Sequence, residues 1–390
     1  MLLILFVVRL AMGFQFQSVA STATQLIEAF GLSYTEIGTL IGFFLLPGVF
    51  ISIPSGALTR AVSDKNLLML GAVAMVIGAW VMGSAGDATT LYAGRLVTGV
   101  GGTIFNVILT KMVTEWFFGK EIVLALSIML TAWPIGLALG LVIHGPAAQA
   151  YGWSAVMYMT AVAALAALVL TALLYRAPPS PLDLPDEPLR YGLPAREMVH
   201  TSVVGIGWAL YNAAFILVVS FTPDMLVAAG HARGAASALT SLFMWTTMVS
   251  VPLGGRLLQS SRHVTPGLVA CLLGASAILV VLIAGSWPRT SLVLLGIIAG
   301  IPAGALMSLS AEAVRRENRG PGLGIFYTWY YLGMTLVPAI AGALRDATGR
   351  ASAPVLLAAL LMAVVVGCVL ALRVLQAKWP IGARAAGRTT

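Results

Sequence analysis

Ser52-Ile-Pro-Ser-Gly56 ends a long apolar run, and the pattern returns 198 positions later as Ser250-Val-Pro-Leu-Gly254. Proline followed by glycine is a helix-exit signal. A basic residue follows each copy within a few positions, Arg60 in the first and Arg256 in the second. Two apolar helices that end alike at this separation indicate two halves built on one pattern.

Three further glycine pairs lie at nearly the same separation, between 194 and 197 positions. They are Gly13 with Gly207, Gly136 with Gly333, and Gly145 with Gly342. The chain has 41 glycines, so some coincidences are expected, but a nearly constant offset along the whole chain favours an internal repeat. We therefore predict two pseudo-symmetric halves with parallel topology.

The composition is that of a membrane protein. Of 390 residues, 59% are hydrophobic and 9% are charged, whereas soluble domains carry roughly 25% charged residues. Apolar stretches of about 20 residues recur, which is the length of a bilayer-spanning helix, and the alternating pattern of transmembrane strands is absent. The predicted fold class is an all-α integral membrane protein with about twelve transmembrane helices in two six-helix bundles.

A polar segment separates the two bundles. Residues 176–200 hold six of the 19 prolines and much of the acidic charge, which is typical of a linker. The predicted domains are an N-terminal bundle at 1–175, a cytoplasmic linker at 176–200, a C-terminal bundle at 201–376 and a cytoplasmic tail at 377–390. We expect the first helix to be retained, because Arg9 interrupts the apolar core that a signal peptide would need.

Basic residues predict the orientation. With both termini inside, sixteen of the 22 lysines and arginines lie at cytoplasmic ends and loops, and four lie in outer loops. The positive-inside rule therefore favours cytoplasmic termini, and we expect a bacterial inner membrane. The net charge of +8 bears on this orientation and not on nucleic acid, since no basic run has interleaved aromatic residues.

Arg95 is the deeper of two cations within the predicted spans. Gly99, Gly102 and Asn106 follow it on one helical face. A charge at this depth is costly unless it faces a cavity or a partner, which favours an arginine that faces a central pathway. The alternative is an arginine that ties helix ends together through backbone carbonyls.

Arg9 is the second cation, nearer the cytoplasmic end of the first span, and Gln17 lies roughly on its face. Arg9 either faces the same pathway or extends to the membrane interface. Other polar and aromatic side chains lie at matching depth, with ordinary core packing as the alternative for each. These candidates for the substrate site are Trp133, Tyr211, Asn212, Trp245, Tyr330 and Tyr331, beside Asn106.

Several chemistries find no support in the sequence. No Asp or Glu lies in the middle of a predicted span, the four histidines lack metal-ligand spacing, and no phosphate-binding GxxxxGK[ST] motif occurs. We therefore expect no cofactor, metal or catalytic group. Because both buried charges are cationic, we predict a small anionic solute, with Arg95 as its preferred charge partner and Arg9 beside it.

Motifs along the chain resemble those of the major facilitator superfamily. The loop motif after the second span is matched by Gly56 and Arg60, although Thr59 replaces its acid. The fourth-span motif is matched by Arg95, Gly99 and Gly101. The fifth-span motif is matched by Gly136 and Gly140, and Tyr151-Gly-Trp153 is similar to the start of the sixth span. The first and seventh spans also resemble prokaryotic cyanate and nitrate/nitrite carriers.

This resemblance implies a secondary active or facilitative transporter, which works by alternating access as a monomer among membrane lipids. In that reading, gating and helix packing depend on five residues, which are Gly56, Arg60, Gly99, Gly136 and Gly140. Two alternatives stay open: an exporter of multiple drugs or lipophilic solutes with the same fold, and a non-transporting receptor or scaffold. The latter is disfavoured because the longest segments outside the membrane have about 25 residues or fewer.

Overall fold

The structure is a computed structural model that describes residues 1–52, 62–117, 122–176, 192–258, 261–285, 287–315 and 318–381. The predicted loop residues Gly56 and Arg60 lie outside these ranges, as do most of the predicted linker and most of the predicted tail.

The described residues form fifteen helices. They are Leu2–Ser21, Ala23–Phe30, Tyr34–Phe43, Leu46–Ile51, Asp64–Gly83, Ala88–Trp116, Ile122–Tyr151, Trp153–Leu174, Ala195–Ala228, Arg233–Leu257, Ser261–Ile283, Pro288–Gly300, Ala303–Glu312, Arg319–Thr348 and Ala353–Lys378. Within the described ranges they contain twelve spans long and apolar enough to cross a membrane. The prediction of an all-α membrane protein with twelve spans is therefore confirmed.

Two of the spans are broken helices. The second span bends where Tyr34–Phe43 gives way to Leu46–Ile51, and the tenth bends between Pro288–Gly300 and Ala303–Glu312. The second break lies within the segment Gly300-Ile-Pro-Ala-Gly304. Proline supplies the reason, since it lacks the N–H that a continuous helix requires.

The helix of the seventh span begins at Ala195, six residues before the predicted start of the C-terminal bundle. Its first turn is held against the loop between the tenth and eleventh spans. Glu197 accepts a hydrogen bond of 2.9 Å from Asn318 Nδ2 and another of 3.3 Å from Arg315 N. This carboxylate ties the helical end of the polar segment to that loop.

Glycines bring the first span against the fifth and the seventh against the eleventh. A Cβ at Gly13 would lie 2.6 Å from the Trp133 carbonyl oxygen, and one at Gly136 would collide with the Leu10 carbonyl oxygen. At Gly333, the repeat mate of Gly136, a Cβ would lie 2.7 Å from Ala209 Cβ. Gly136 and its mate Gly333 therefore pack equivalent helix pairs, whereas Gly207, the mate of Gly13, lies against the twelfth span, with the position of a Cβ 3.2 Å from Cys368 Cβ.

The same repeat relates two contacts between the halves. Gly145 on the fifth span lies beside Ser237 on the eighth, 3.8 Å from the position of a Cβ to Oγ, while its mate Gly342 on the eleventh contacts the Tyr34 backbone on the second. Both contacts lie at the membrane face that the basic-residue bias predicts to be external, called here the predicted outer face. The halves also meet through Ser52 Oγ and Thr328 Oγ1, 3.1 Å apart.

Candidate functional site

Arg95 on the fourth span is fully buried, and each of its three side-chain nitrogens donates to a backbone carbonyl. Nε lies 2.9 Å from the Leu40 oxygen, Nη2 lies 2.9 Å from the Phe16 oxygen, and Nη1 lies 3.4 Å from the Gln15 oxygen. The guanidinium carbon also lies 4.8 Å from the Phe44 ring centroid. Arg95 thus ties the first, second and fourth spans together.

This geometry favours a structural role for Arg95 over the predicted role as the charge partner of a solute. The guanidinium of Arg95 is occupied by protein carbonyls, which is the alternative that the sequence left open. Gly99 belongs to the same packing, because a Cβ there would lie 2.7 Å from the Phe44 carbonyl oxygen. The glycines after Arg95 therefore allow the second span to approach the fourth closely.

Arg9 on the first span has a different environment. Its side chain is partly exposed, and its Nε is buried without a hydrogen-bond partner among the described residues. Tyr327, Tyr330 and Tyr331 of the eleventh span lie within electrostatic range of its guanidinium. A cation of one half therefore faces three phenol groups of the other half.

The three tyrosines form one cluster, with ring centroids 5.0 Å apart for Tyr330 and Tyr331 and 6.1 Å apart for Tyr327 and Tyr330. Asn106 Nδ2 on the fourth span donates to the Tyr331 hydroxyl over 3.4 Å. The Tyr331 ring fills the space beside Gly48 of the second span, where a Cβ would collide with it. The first, second, fourth and eleventh spans converge here.

Two other candidates of the first half pack within their own bundle. Gln17 is 1% exposed; its Nε2 donates to Ser21 Oγ over 3.4 Å, and its Cβ would lie 2.7 Å from a Cβ at Gly140. The Trp133 ring lies 5.3 Å from the Phe16 ring, between centroids. Gln17 and Trp133 therefore line the contact between the first and fifth spans.

The candidates of the seventh and eighth spans do not join the Arg9 cluster. Tyr211 is buried and donates to the Ala299 carbonyl oxygen over 2.5 Å, next to the break in the tenth span. Asn212 Nδ2 donates to the Trp208 carbonyl oxygen over 2.8 Å, within its own helix. Trp245 is 36% exposed. The side-chain donors of Tyr211 and Asn212 are thus directed at backbone carbonyls.

A second polar network joins the halves at the predicted outer face. The Asp346 carboxylate, at the end of the eleventh span, accepts hydrogen bonds from Tyr34 N over 3.0 Å and from Thr35 N over 2.8 Å. Arg345 Nη1 lies 3.5 Å from the Asp224 carboxylate of the seventh span. Sequence reasoning missed this network, although an adjacent Arg-Asp pair close to a predicted span end was a signal for it.

Among the described residues, no group of three or more His, Cys, Asp or Glu side chains could hold a metal ion. Two helical bundles with broken helices and polar groups of both halves at their boundary define a class of protein, the membrane transporters with internal repeats. The Major Facilitator Superfamily model matches residues 5–229 and 201–389. The chain therefore belongs to the Major Facilitator Superfamily and is a transporter of that superfamily.

Two proteins of similar sequence are transporters by name. The multidrug efflux protein YfmO of Bacillus subtilis (strain 168) is 24% identical over 324 residues, 80% of this chain and 78% of YfmO. An MFS-type transporter of Aspergillus terreus (strain NIH 2624 / FGSC A1156) is 27% identical over 141 residues, 35% of this chain and 25% of that protein, so the chain matches only a quarter of the fungal protein's length.

The fold is shared with two solved structures at 15% identity each. An inward-facing, unoccupied bacterial homolog of the human lysosomal transporter Spinster has a TM-score of 0.70, with coverage of 96% of this chain and 95% of that one. A D-xylose-proton symporter has a TM-score of 0.69, with coverage of 93% and 96%. None of these proteins supports the finer resemblance to cyanate and nitrate/nitrite carriers, which stays a prediction.

Proposed function

We propose that this transporter moves a small anion by alternating access, with Arg9 as the charge partner of the solute. The observation that carries the proposal is the buried Arg9 Nε, which has no hydrogen-bond partner among the described residues. A guanidinium donor in a low-dielectric site is costly to leave unpaired. An anion beside Arg9 would supply the missing acceptor.

The groups around Arg9 suit a planar oxyanion. An arginine fork binds a carboxylate or a similar anion through two parallel hydrogen bonds, which strengthens and orients the contact. The hydroxyls of Tyr327 and Tyr330 are potential donors to further oxygens, since both phenols belong to the cluster near the guanidinium of Arg9. Asn106 would act through Tyr331, to which it donates.

The two sides of this site belong to different bundles, with Arg9 on the first span and the tyrosines on the eleventh. A solute held between them would interact with both halves at once. Its affinity would therefore depend on how the halves are positioned, which is the requirement for a solute that drives alternating access. We propose that Arg95, Gln17, Trp133, Tyr211, Asn212 and Trp245 position the spans around this site.

A lipophilic solute is the second candidate, and two observations favour it. Trp208, Tyr211 and Phe215 form a continuous run of ring contacts along the seventh span, with centroids 5.7 Å and then 5.0 Å apart. The similar protein YfmO is named a multidrug efflux protein. Aromatic surfaces suit flat apolar molecules and organic cations, so an exporter of such solutes would use this run and not Arg9.

We also propose that the protein is a monomer in the bacterial plasma membrane, with both termini cytoplasmic. The bias of basic residues supports this orientation, and the bacterial relative supports this membrane.

A ligand screen on the purified full-length protein separates the two solutes. Formate, nitrate, benzoate and tetraphenylphosphonium are compared by thermal shift, because a specific ligand raises the unfolding temperature by mass action. Uptake of the best labelled ligand into proteoliposomes then tests transport. We expect an anion to stabilise the protein and to be transported.

The Arg9→Gln variant tests the assignment of the charge partner. We expect anion affinity to fall about 10- to 100-fold, because a hydrogen-bonded charge pair is lost. Arg9→Lys should give an intermediate loss, since lysine keeps the charge but not the fork. Stabilisation by tetraphenylphosphonium alone, with no response to any anion, would contradict the proposal.

A further inference from the structure

We propose that His144 is a proton-binding site, and that its protonation favours the conformation in which the predicted outer face is open. This inference rests on the proposed transport cycle, but not on the identity of the solute. His144 lies on the fifth span, which continues as helix to Tyr151.

The imidazole of His144 is enclosed and unpaired. Its exposed fraction is 0%, and neither ring nitrogen has a hydrogen-bond partner among the described residues. The ring packs edge-on against Phe14 of the first span, with centroids 4.2 Å apart. Its Cε1 lies 3.1 Å from the position of a Cβ at Gly140. One side of the ring is therefore apolar and the other is tight against its own helix.

A second unpaired group lies against the same glycine. Gln17 Oε1 is buried without a partner among the described residues, and the Gln17 side chain lies 2.7 Å from the position of a Cβ at Gly140. Orphaned buried polar atoms are few in native proteins, and each calls for an explanation. Two residues with such atoms lie beside Gly140. We infer that their polar groups find hydrogen-bond partners in a different conformation of the transporter.

In the structure described here, a charged imidazole at this place would be costly. A neutral imidazole has one N–H and one lone pair, and a proton on the lone pair creates a cation. That cation would be without water and without a carboxylate partner. Protonated His144 and the closed arrangement around it are therefore incompatible.

Other charges nearby do not remove this cost. On the outer halves of the elements packed around His144, the charged and titratable side chains are Glu28, Tyr92, Arg95, Tyr151, Tyr158 and Arg233. Arg95 donates to backbone carbonyls, and Arg233 donates to Thr24 Oγ1 over 2.7 Å. Glu28 is exposed. Two of the three charged groups are cations, so they add to the cost of a third positive charge.

The opening of the predicted outer face would change the surroundings of His144. Its neighbour Gly145 lies against Ser237 of the other half, and Thr24 on the continuation of the first span binds Arg233 of the other half. Alternating access requires both contacts to separate. Water then reaches the edge of the site, and a proton from the outer solution binds the free ring nitrogen. The proton must leave before the contacts seen here re-form.

This linkage predicts the direction and size of a pH effect. The open form binds the proton and the closed form does not, so the ratio of open to closed protein rises as pH falls. With an ordinary histidine pKa of about 6.5 in the open form, the ratio should rise about tenfold between pH 7.5 and pH 5.5.

The test is a distance measurement on the full-length protein in lipid nanodiscs. Spin labels are placed at Thr89 and Thr290, two exposed positions at the predicted outer face on different halves. Cys271 and Cys368 are first replaced by serine. We expect a longer distance to gain population when the pH falls from 7.5 to 5.5, and we expect His144→Phe to abolish this change.

His231→Gln is the matched control, because His231 lies in the loop before the eighth span and not in the buried site. It should keep the pH response of the starting protein. An unchanged response in a folded His144→Phe variant would overturn the proposal, as would a starting protein whose distances do not change with pH. Anion binding at Arg9 is measured separately at fixed pH, so failure of the proposed solute leaves this result interpretable.

Discussion

Arg345 stacks on Tyr34, with its guanidinium carbon 3.6 Å from the ring centroid and its Nη2 donating to the phenol oxygen over 2.7 Å. Arg345 lies at the end of the eleventh span, and Tyr34 is the first residue of the second. The next residue, Asp346, accepts the first two amide hydrogens of that helix. One dipeptide of the C-terminal half thus caps and covers a helix start of the N-terminal half.

Asp346→Asn should weaken this closure. A carboxylate at a helix start is favoured by the exposed N–H groups and by the helix dipole, and asparagine keeps only part of that interaction. We expect faster hydrogen exchange at the amides of Tyr34 and Thr35, and a loss of about 1 kcal/mol in the free energy of opening, since the site is exposed to solvent. Hydrogen–deuterium exchange with mass spectrometry measures both.

Glu28→Gln is the matched control for that experiment. Glu28 is an exposed acid at the same face, so it tests the effect of one lost negative charge without the cap. Its exchange pattern at Tyr34 and Thr35 should equal that of the unmodified protein. If these two amides exchange at the unmodified rate in Asp346→Asn too, the carboxylate does not hold the predicted outer face closed.

Gly136→Ala should destabilise the protein through a backbone clash. The added methyl group would meet the Leu10 carbonyl oxygen and lie 2.8 Å from Phe14 N, and overpacking of this kind costs about 1–3 kcal/mol. Gly367→Ala is the control, because among the described residues no atom outside its own stretch of helix lies within 4 Å of its added Cβ. Alanine there should be neutral or slightly stabilising, since it favours helix over glycine.

The unfolding temperature in detergent and the rate of solute uptake are measured for each glycine variant. We expect a lower unfolding temperature and weaker transport for Gly136→Ala, and Gly140→Ala should behave in the same way because its Cβ would lie 2.7 Å from Gln17 Cβ. If Gly136→Ala unfolds at the same temperature as Gly367→Ala, the seam between the first and fifth spans has more room than the structure shows.

The architecture could be predicted from the sequence because its signals are carried by residue types. Apolar length defines a span, and repeated glycines mark positions where helices can approach closely, but the sequence did not indicate that Gly136 would meet Gly13 of the first span. The partners of Arg95 were not, because backbone carbonyls occur at every position and leave no mark in the sequence. The acceptor of Tyr211 could not be predicted for the same reason, since it is the carbonyl oxygen of Ala299.

The orientation in the membrane is a separate prediction. We expect a cysteine at position 289 to react with an impermeant maleimide added to intact cells, and a cysteine at position 190 to react only after the cells are opened. The reason is the excess of lysine and arginine on one side of the predicted spans. The measurement is gel shift after labelling in a background without Cys271 and Cys368. Labelling of position 190 in intact cells would reverse the orientation.

The two arginines within the spans should respond in opposite ways to the same change. Arg95→Lys should lower the free energy of unfolding by about 2 kcal/mol or more, because lysine's single ammonium group cannot reach three carbonyls on two other spans. Arg9→Lys should leave that free energy nearly unchanged, because the described residues provide no hydrogen-bond acceptor for Arg9 Nε.

Anion affinity should show the reverse order. Arg9→Lys should weaken binding of the best anion from the screen, whereas Arg95→Lys, assayed well below its unfolding temperature, should bind it with nearly unchanged affinity. Thermal unfolding and equilibrium binding on the same preparations give the stability and the anion affinity of each of the two variants. A structural arginine and a ligand-binding arginine differ in which of the two measurements moves, so Arg95→Lys with normal stability and lost binding would return Arg95 to the site.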